Sequence, residues 1–410
     1  MFKEECLLFV GLDWAEAHHD VCLMNEDGKV LARKRVEDTL EGAGQLHTLL
    51  AEYSTEPSQV IIGVETDQGL LIRSLIAAEF QVYAINPKAV DRYRDRHKMS
   101  RAKSDAADAK VLADLVRTDR HNHRPVAGDS TLAQALKVLV RSHQRLIWAR
   151  QRQASQLRTM LREFYPGALL AFDDDLTGRD AIAVLGRAPT PAKGRALTTA
   201  QLVGILRRSG RRRNLEQKAE AVHTALQVPQ LEVPGVLANA YGASVQAAVR
   251  VIAEYNIQVA ALETELVAYF EAHPDAEIIT SLPGLGNILG ARVLTGFGDD
   301  PTRYADSKAR KNYASSSPIT KASGTYRLVK ARFPRNTWLA DAGHMWAFST
   351  LNASPGARAF YDRYRARGHT HVQALRVVAN RLFGILHGCL RHRTVYSEDI
   401  AWPRAMDQAA

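Results

Sequence analysis

The chain has 410 residues, enough for two or three domains, and its 46% hydrophobic and 24% charged residues are ordinary for a soluble globular protein. A formal charge of +10 favours a polyanionic partner, either nucleic acid or an anionic membrane surface. Three scattered cysteines without a CxxC pair argue against a cysteine-based zinc site and agree with a reducing cytoplasm. No signal peptide and no long apolar run are found, so we expect a cytoplasmic protein without a membrane partner.

The predicted elements of the N-terminal part are strands and helices in alternation. Short apolar runs bounded by turn signals predict strands, and apolar positions at helical spacing predict helices. Strands are expected at 6–13, 20–24, 30–32, 59–65 and 81–85, and helices at 39–53, 69–80 and 104–117, the last capped by Ser104. This order indicates a mixed α/β domain over residues 1–128.

Residues 129–274 are predicted to form a helical, coiled-coil-like linker domain. A helix rich in basic residues is expected at 132–164, then a loop-like stretch at 166–200 and a basic segment at 207–213. A later helix has apolar residues at heptad spacing, which is typical of a coiled coil or of one helix in a bundle. These apolar residues are Ala248, Ile252, Tyr255, Val259, Leu262, Leu266 and Tyr269.

Residues 275–400 are predicted to form a third, mainly α-helical domain, followed by a tail at 401–410. A glycine-rich turn at 281–290 lies between two expected helices. It is similar to a helix-hairpin-helix, in which exposed amides hold a DNA backbone, and it fits a simple tight turn equally well. An amphipathic helix is expected at 370–390.

Four acids stand where they could bind a divalent metal. Asp13 and Glu65 each end an apolar strand, where burial of a carboxylate is costly unless a cation compensates it. Asp105 and Asp108 lie three residues apart on a predicted helix and therefore share a face. Oxygen-only ligands suit Mg²⁺ or Mn²⁺, and a pair of such ions can promote phosphodiester displacement. Taken singly, each acid also fits a turn cap or a solvated helix face.

The order of these acids on this strand pattern resembles the DEDD type of insertion-sequence transposase. The matching motifs are Gly11-Leu12-Asp13, Val64-Glu65-Thr66 and the segment from Lys103 to Ala109. The resemblance implies that the N-terminal domain has an RNase H-like fold similar to the RuvC resolvase. It also implies that Asp13, Glu65, Asp105 and Asp108 bind Mg²⁺, which Mn²⁺ could replace.

The C-terminal part resembles the second domain of the same family. Leu282 to Gly286 is similar to its opening, and Asn312 to Gly324 is similar to its central motif, with Ser315-Ser316-Ser317 standing where Gly-Leu-Ala is more usual. In the family the serine before this glycine is the DNA nucleophile, which corresponds to Ser323. From the sequence alone, Ser323 would be a loop serine, since no histidine base is near it in the chain.

The resemblance also implies the partners. They are donor and target DNA, a structured non-coding RNA that acts as a guide, and further copies of the chain in a homodimer or homotetramer. Basic side chains and the glycine turn are candidate contacts for these nucleic acids, although each basic residue also fits a solvated surface. The candidates are Arg101, Lys103, Arg141, Arg145, Arg152, Gly284, Gly286, Lys321, Arg327, Lys330 and Arg332.

Three other functions fit parts of this sequence. A RuvC-like nuclease would use the four acids hydrolytically, and a non-catalytic nucleic-acid-binding protein would share the fold without the chemistry. An actin-like ATPase or sugar kinase would share the first strands, but Asp13 lacks the Gly and Ser or Thr that hold phosphates there. The acids predict divalent-metal chemistry on phosphodiesters, and the resemblance implies a transposase that cleaves and exchanges DNA strands through a covalent serine intermediate.

Overall fold

A computed structural model describes residues 7–67, 69–97, 105–123, 125–126, 128–172, 175–324, 326–330 and 336–403. The chain divides into two compact units, residues 1–128 and 129–410. The predicted cap Ser104 and the predicted contacts Arg101, Lys103 and Arg332 lie outside the described residues. The first unit is mixed α/β, and the second is mostly helical, in agreement with the predicted fold class at that level.

The first unit is built on a five-stranded sheet in the order β3-β2-β1-β4-β5. The β1–β2 and β2–β3 pairs are antiparallel, whereas the β1–β4 and β4–β5 pairs are parallel. The strands are β1 Leu8–Trp14, β2 His18–Met24, β3 Val30–Glu37, β4 Val60–Val64 and β5 Gln81–Ala84. The helices are α1 Leu40–Tyr53, α2 Leu70–Ala77, α3 Pro87–His97 and α4 Asp105–Asp119. Of these elements, the sequence analysis did not predict α3.

Helices cover both faces of this sheet because successive strand residues point to opposite sides. Val10 and Val64 belong to one buried cluster, which also holds side chains of α1 and α2. Phe9 and Ile61 belong to the other, together with side chains of α3 and α4. The central strands are thus buried on both faces, which explains their nearly continuous apolar sequences.

Two glycines let α4 lie directly on the sheet. A Cβ at Gly11 would be 1.8 Å from the backbone oxygen of Ala109, and one at Gly63 would be 2.7 Å from that of Leu112. Gly11 and Gly63 are register partners on β1 and β4. The helix can therefore approach this closely only where both strands lack a side chain.

The second unit contains fourteen described helices and one two-stranded hairpin, β6 Ile319–Ser323 and β7 Tyr326–Lys330. The first seven helices are α5 Thr131–Phe164, α6 Pro166–Phe172, α7 Arg179–Arg187, α8 Pro191–Arg195, α9 Thr199–Arg208, α10 Leu215–Gln227 and α11 Gly235–Glu271. The others are α12 Ala276–Ser281, α13 Asn287–Phe297, α14 Ser307–Tyr313, α15 Thr337–Thr350, α16 Pro355–Ala366, α17 His371–His392 and α18 Glu398–Ala401.

The long helices α5 and α11 pack against each other in antiparallel directions. His143 lies 3.1 Å from Glu263, and Tyr241 donates a hydrogen bond to Glu163. On the heptad positions of α11, Ile252, Val259 and Leu266 are buried, whereas Tyr269 is exposed. The buried heptad side chains therefore pack within the chain, as those of one helix in a bundle do.

Two hydrophobic cores lie in the second unit. The middle core joins one end of the α5–α11 pair to α6, α7, α9 and α10. The C-terminal core joins the other end, through Leu136 and Phe270, to α12, α13, α15 and α17. Among the described helices, α11 alone is long and apolar enough to cross a membrane by length and composition, which is weak evidence by itself.

The prediction of a loop-like stretch at 166–200 is wrong. It contains α6, α7, α8 and the start of α9. Pro166 and Pro191 stand at the first positions of α6 and α8, where a proline stabilises a helix start rather than breaking the helix. Because these helices are short, their apolar residues do not complete a recognisable helical period.

Candidate active-site edge and the serine hairpin

Asp13 and Glu65 lie on neighbouring strands at one edge of the sheet. Leu12 and Val64 are paired in the parallel β1–β4 register; Asp13 is the next residue of β1, and Glu65 directly follows the end of β4. Alternation puts both acids on the face that Gly11 and Gly63 present to α4. Both acids are partly exposed at this edge.

Helix α4 runs antiparallel to β1, so it begins near the edge where Asp13 lies. Ala109 lies over Gly11 in the middle of β1. Further along, the Arg120 guanidinium is 5.4 Å from the ring of Phe9, near the start of β1. The opposite end of α4, which carries Asp105 and Asp108, is therefore directed towards the carboxyl end of β1.

Asp108 is buried and ion-paired in this structure. Its side chain is 3% exposed, and its Oδ1 accepts a hydrogen bond of 2.7 Å from Arg94 Nη2 of α3. Arg94 also lies 3.3 Å from Asp91. The sequence analysis missed Arg94, and the only signal was its basic, helix-compatible surroundings between 87 and 97.

A second acid–base pair continues the same row of residues across the sheet. Asp20 is the antiparallel register partner of Asp13, and Arg35 is the partner of Asp20. Arg35 donates to both carboxylate oxygens of Asp20, at 3.1 and 2.8 Å. Directly opposite residues share a face, so Asp20 lies beside Asp13 on the α4 side. This neighbour was not predicted, because finding it requires the strand register.

The oxygen ligands of the four predicted acids suit a divalent metal. The described side chains, however, do not yet form a complete metal site. Among the described side chains, no group of three or more His, Cys, Asp or Glu is arranged to hold a metal ion. The carboxylate of Asp108 is occupied by Arg94, and the side chain of Asp105 is outside the described part. A metal bound at Asp108 Oδ1 would therefore compete with Arg94 for that oxygen.

Ser323 lies in the second unit, at the end of β6. It pairs with Tyr326 across the hairpin, and its side chain is exposed. Gly324, which follows it, has a φ of +56°, a conformation that glycine adopts without strain. The serine is thus presented at a hairpin tip rather than in an irregular loop.

Comparison with known proteins identifies the family of the chain. A family model described as a transposase matches residues 10–166, and one described as "Transposase IS116/IS110/IS902 family" matches residues 276–362. The chain is 44% identical over 414 residues to the "Mini-circle putative transposase for IS117" of Streptomyces coelicolor, with 100% of both chains covered. It is also 30% identical over 411 residues to the "Insertion element IS110 uncharacterized 43.6 kDa protein" of the same organism, with 99% of each covered.

The chain belongs to the IS110 family of transposases. The first model match begins in β1 and ends at Pro166, just after α5, so it includes Asp13 and Glu65, whose end of the sheet is called the acidic edge below. The second includes the glycine turn and the serine hairpin. An IS110 transposase is an enzyme that acts on DNA, and the basic excess of this chain agrees with that partner.

The predicted nucleic-acid contacts of this IS110 transposase differ in exposure. Arg145 and Arg152 are exposed on α5, and Arg327 is exposed on β7. Arg141 is half-buried, with its guanidinium 5.9 Å from the ring of Trp338. The side chains of Lys321 and Lys330 are outside the described part.

The glycine turn between α12 and α13 packs closely against α15. The carbonyl of Pro283 accepts hydrogen bonds from Trp346 and Thr350, and a Cβ at Gly284 would be 2.7 Å from the Thr350 nitrogen. Gly284 has a φ of +81°, while Gly286 is exposed at the start of α13. Gly284 therefore has a structural role in the turn, and Gly286 is the more exposed of the two glycines.

One arginine of the basic segment 207–213 is committed to a structural ion pair. Arg211 Nη2 lies 2.6 Å from Oδ2 of the buried Asp180 on α7, and Arg211 Nε donates a hydrogen bond of 2.7 Å to the same oxygen. Arg207, Arg208 and Arg212 are exposed. The segment thus offers an open basic surface anchored by Arg211.

Proposed function

We propose that this transposase cleaves and exchanges the DNA strands of its insertion sequence, with Mg²⁺ at the acidic edge and Ser323 as covalent nucleophile. The observation that carries the proposal is the placement of Asp13 and Glu65 on adjacent strands, with α4 beginning towards the same edge. Asp13, Glu65, Asp105 and Asp108 would hold the metal, and Mn²⁺ would substitute for Mg²⁺.

When bound, the metal would supply Lewis-acid stabilisation of charge on the phosphodiester. The chain's own residues set the conditions for binding it. Arg94 neutralises Asp108 in the present arrangement, at 2.7 Å, and its release would free a carboxylate for the metal. Arg35 neutralises Asp20 beside Asp13, which limits the negative charge of the row.

The exposed position of Ser323 supports its role as nucleophile. Its oxygen would form an ester bond to phosphorus while the bond from phosphorus to the leaving strand oxygen breaks. The hydroxyl proton would leave the serine as that bond forms and finally reside on the released strand end. Arg327, exposed on the paired strand β7, would compensate the charge on the phosphate, together with Lys321, Lys330 and Arg332.

RNA guidance and assembly into a dimer or tetramer are part of the same proposal. They are implied by the family resemblance, and the exposed Arg145 and Arg152 of α5 support a polyanion surface there. In an oligomer, Ser323 of one subunit would serve the acidic edge of another. The alternative is a RuvC-like nuclease in which water replaces the serine.

A trapping assay tests the proposal. The protein, co-expressed with its flanking non-coding RNA, is incubated with labelled donor and target DNA and Mg²⁺ and analysed on a denaturing gel. We expect a protein–DNA adduct that is lost in Ser323→Ala and in Asp105→Asn. Thr320→Ala on the exposed side of the same hairpin and Asp95→Asn on α3 are matched controls that keep the adduct.

Free nicked ends without an adduct, still dependent on Asp105, would reject the covalent serine and favour the nuclease. Omission of the RNA tests guidance separately. An adduct of unchanged yield and site without RNA would reject RNA guidance while leaving the serine chemistry intact.

A further inference from the structure

A cavity of about 410 Å³ lies in the second unit, and its lining does not include Ser323. It is enclosed by α15, α17, the segment after α14 and one side chain of α5. Its lining includes Trp148, Ser315, Thr337, His344, Arg376 and Phe383. The volume is within the range of about 300–1,000 Å³ typical of small-molecule sites.

Trp148, which lines this cavity, packs against a second tryptophan. The rings of Trp148 and Trp338 have centroids 4.9 Å apart and planes inclined by 35°. Both side chains are only half-buried, and Trp148 lines the cavity. The Arg141 guanidinium lies 5.9 Å from the Trp338 ring. A cation beside a tryptophan pair is a surface on which another flat π system can stack.

The rest of the lining combines apolar walls with a few polar groups. Leu339 and Phe383 are buried parts of the wall, while His344 and Arg376 bring hydrogen-bond donors to the rim. Asp341 also lines the cavity, and Arg292 holds its carboxylate at 2.5 Å, so its charge is compensated. Such a lining suits a flat, neutral, heteroaromatic group better than a phosphate, which would need several free cations.

We propose that this cavity receives an unstacked nucleobase of a single nucleic-acid strand, stacked on Trp148. Strand exchange by a DNA transposase requires bases to leave their duplex partners, and a base outside a stack gains free energy from an aromatic platform. The inference uses the membership of the chain in a DNA transposase family and is independent of the metal and of Ser323.

Binding of short oligonucleotides to the full-length protein, without divalent metal, tests this site. The probes are a labelled 12-nucleotide single-stranded DNA, the same strand with its bases replaced by abasic units, and the RNA of the same sequence. We expect Trp148→Ala to weaken binding of an intact strand by about tenfold or more, as stacking on one aromatic does. The slope of affinity against salt stays unchanged, because no phosphate contact is removed.

Three comparisons make the result specific. Phe348→Ala removes an exposed aromatic of the same helix α15 that does not line the cavity, and it should leave affinity unchanged. Trp148→Phe should retain most of the affinity, and Ala340→Leu, which adds bulk to the cavity wall while Trp148 itself is kept, should lower it. The abasic strand should bind wild type and Trp148→Ala equally.

Loss with the DNA strand alone would assign the base to DNA, and loss with the RNA strand alone would assign it to RNA; either supports the site. Equal affinities of the wild type, Trp148→Ala and Ala340→Leu for both intact strands would overturn it. So would an equal loss with the abasic strand. Failure of the trapping assay described above would leave this binding result unaffected, so the two proposals fail separately.

Discussion

The acidic edge of the first unit and the serine hairpin of the second are held in opposite ways. Asp13 and Glu65 extend from strands that are buried on both faces, and α4 lies so close that Gly11 has no room for a Cβ. Ser323 stands on a two-stranded hairpin, next to a glycine whose Cβ would meet nothing within 4 Å. Rigid packing thus positions the acids, whereas the serine is carried by a segment with little packing of its own.

The largest expected effect of this difference is at Gly11. Gly11→Ala would force a Cβ to within 1.8 Å of the Ala109 oxygen, so α4 must move away from β1. We expect a loss of about 3 kcal/mol or more in the unfolding free energy, measured by urea denaturation, together with faster hydrogen exchange of the β1 amides.

Gly44→Ala is the matched control, since Gly44 is exposed on α1 and its Cβ would meet nothing within 4 Å. It should stabilise the protein by about 0.5–1 kcal/mol, because alanine has the higher helix propensity. Equal effects of the two substitutions would show that α4 does not lie on β1 as described.

The next largest effect is expected at Arg94. Arg94→Ala leaves the buried carboxylate of Asp108 without this partner, which should cost about 3–5 kcal/mol in the urea-unfolding free energy. If Asp108 also binds metal, excess Mg²⁺ should restore part of this loss, because the cation takes the place of the guanidinium.

Arg92→Ala, on an exposed position of the same helix, should change stability by less than about 0.5 kcal/mol. The double variant of Arg94→Ala with Asp108→Asn should recover stability and lose the response to Mg²⁺. A full response to Mg²⁺ in that double variant would instead place the metal elsewhere.

The smallest effect is expected beside the hairpin, at Ser315. This residue follows α14 with a φ of +57°, a left-handed conformation that costs a non-glycine residue roughly 1 kcal/mol. Ser315→Gly should therefore raise the melting temperature slightly, by about 1–3 °C in thermal unfolding. Asn214→Gly is a matched control with a φ of +52°, and it should gain less, since asparagine tolerates this conformation. A larger gain at Asn214 would contradict strain at Ser315.

The sequence was sufficient to predict the elements that have regular apolar patterns. Strands β1, β2 and β4 were predicted because each is a buried apolar run, whereas β3 was predicted only at 30–32 because its remaining residues are mostly charged and exposed. The helix at 370–390 corresponds to α17 at His371–His392. Helix α3 was missed because it contributes little to the core beyond Val90 and is otherwise strongly charged. The usual Gly in the family at the position of Ser315 is explained by the positive φ found there.

The ion pairs of the site could not be predicted in the same way. Arg94 meets Asp108 only because α3 packs beside α4, and Asp20 meets Asp13 only through the β1–β2 register. Neither contact corresponds to a recognisable residue spacing in the sequence. Acid positions follow from strand ends, but the partners that neutralise them depend on tertiary packing.

The antiparallel pair of α5 and α11 has a mechanical consequence. With 34 residues, α5 is about 50 Å long, and the C-terminal core and the middle core are attached to its two ends. A helix pair of that length acts as a lever arm: a tilt of about 10° at one end would displace the other by about 9 Å. A small change in side-chain packing around Leu136 and Phe270 that tilts the helix pair would therefore displace the middle core by nearly a nanometre.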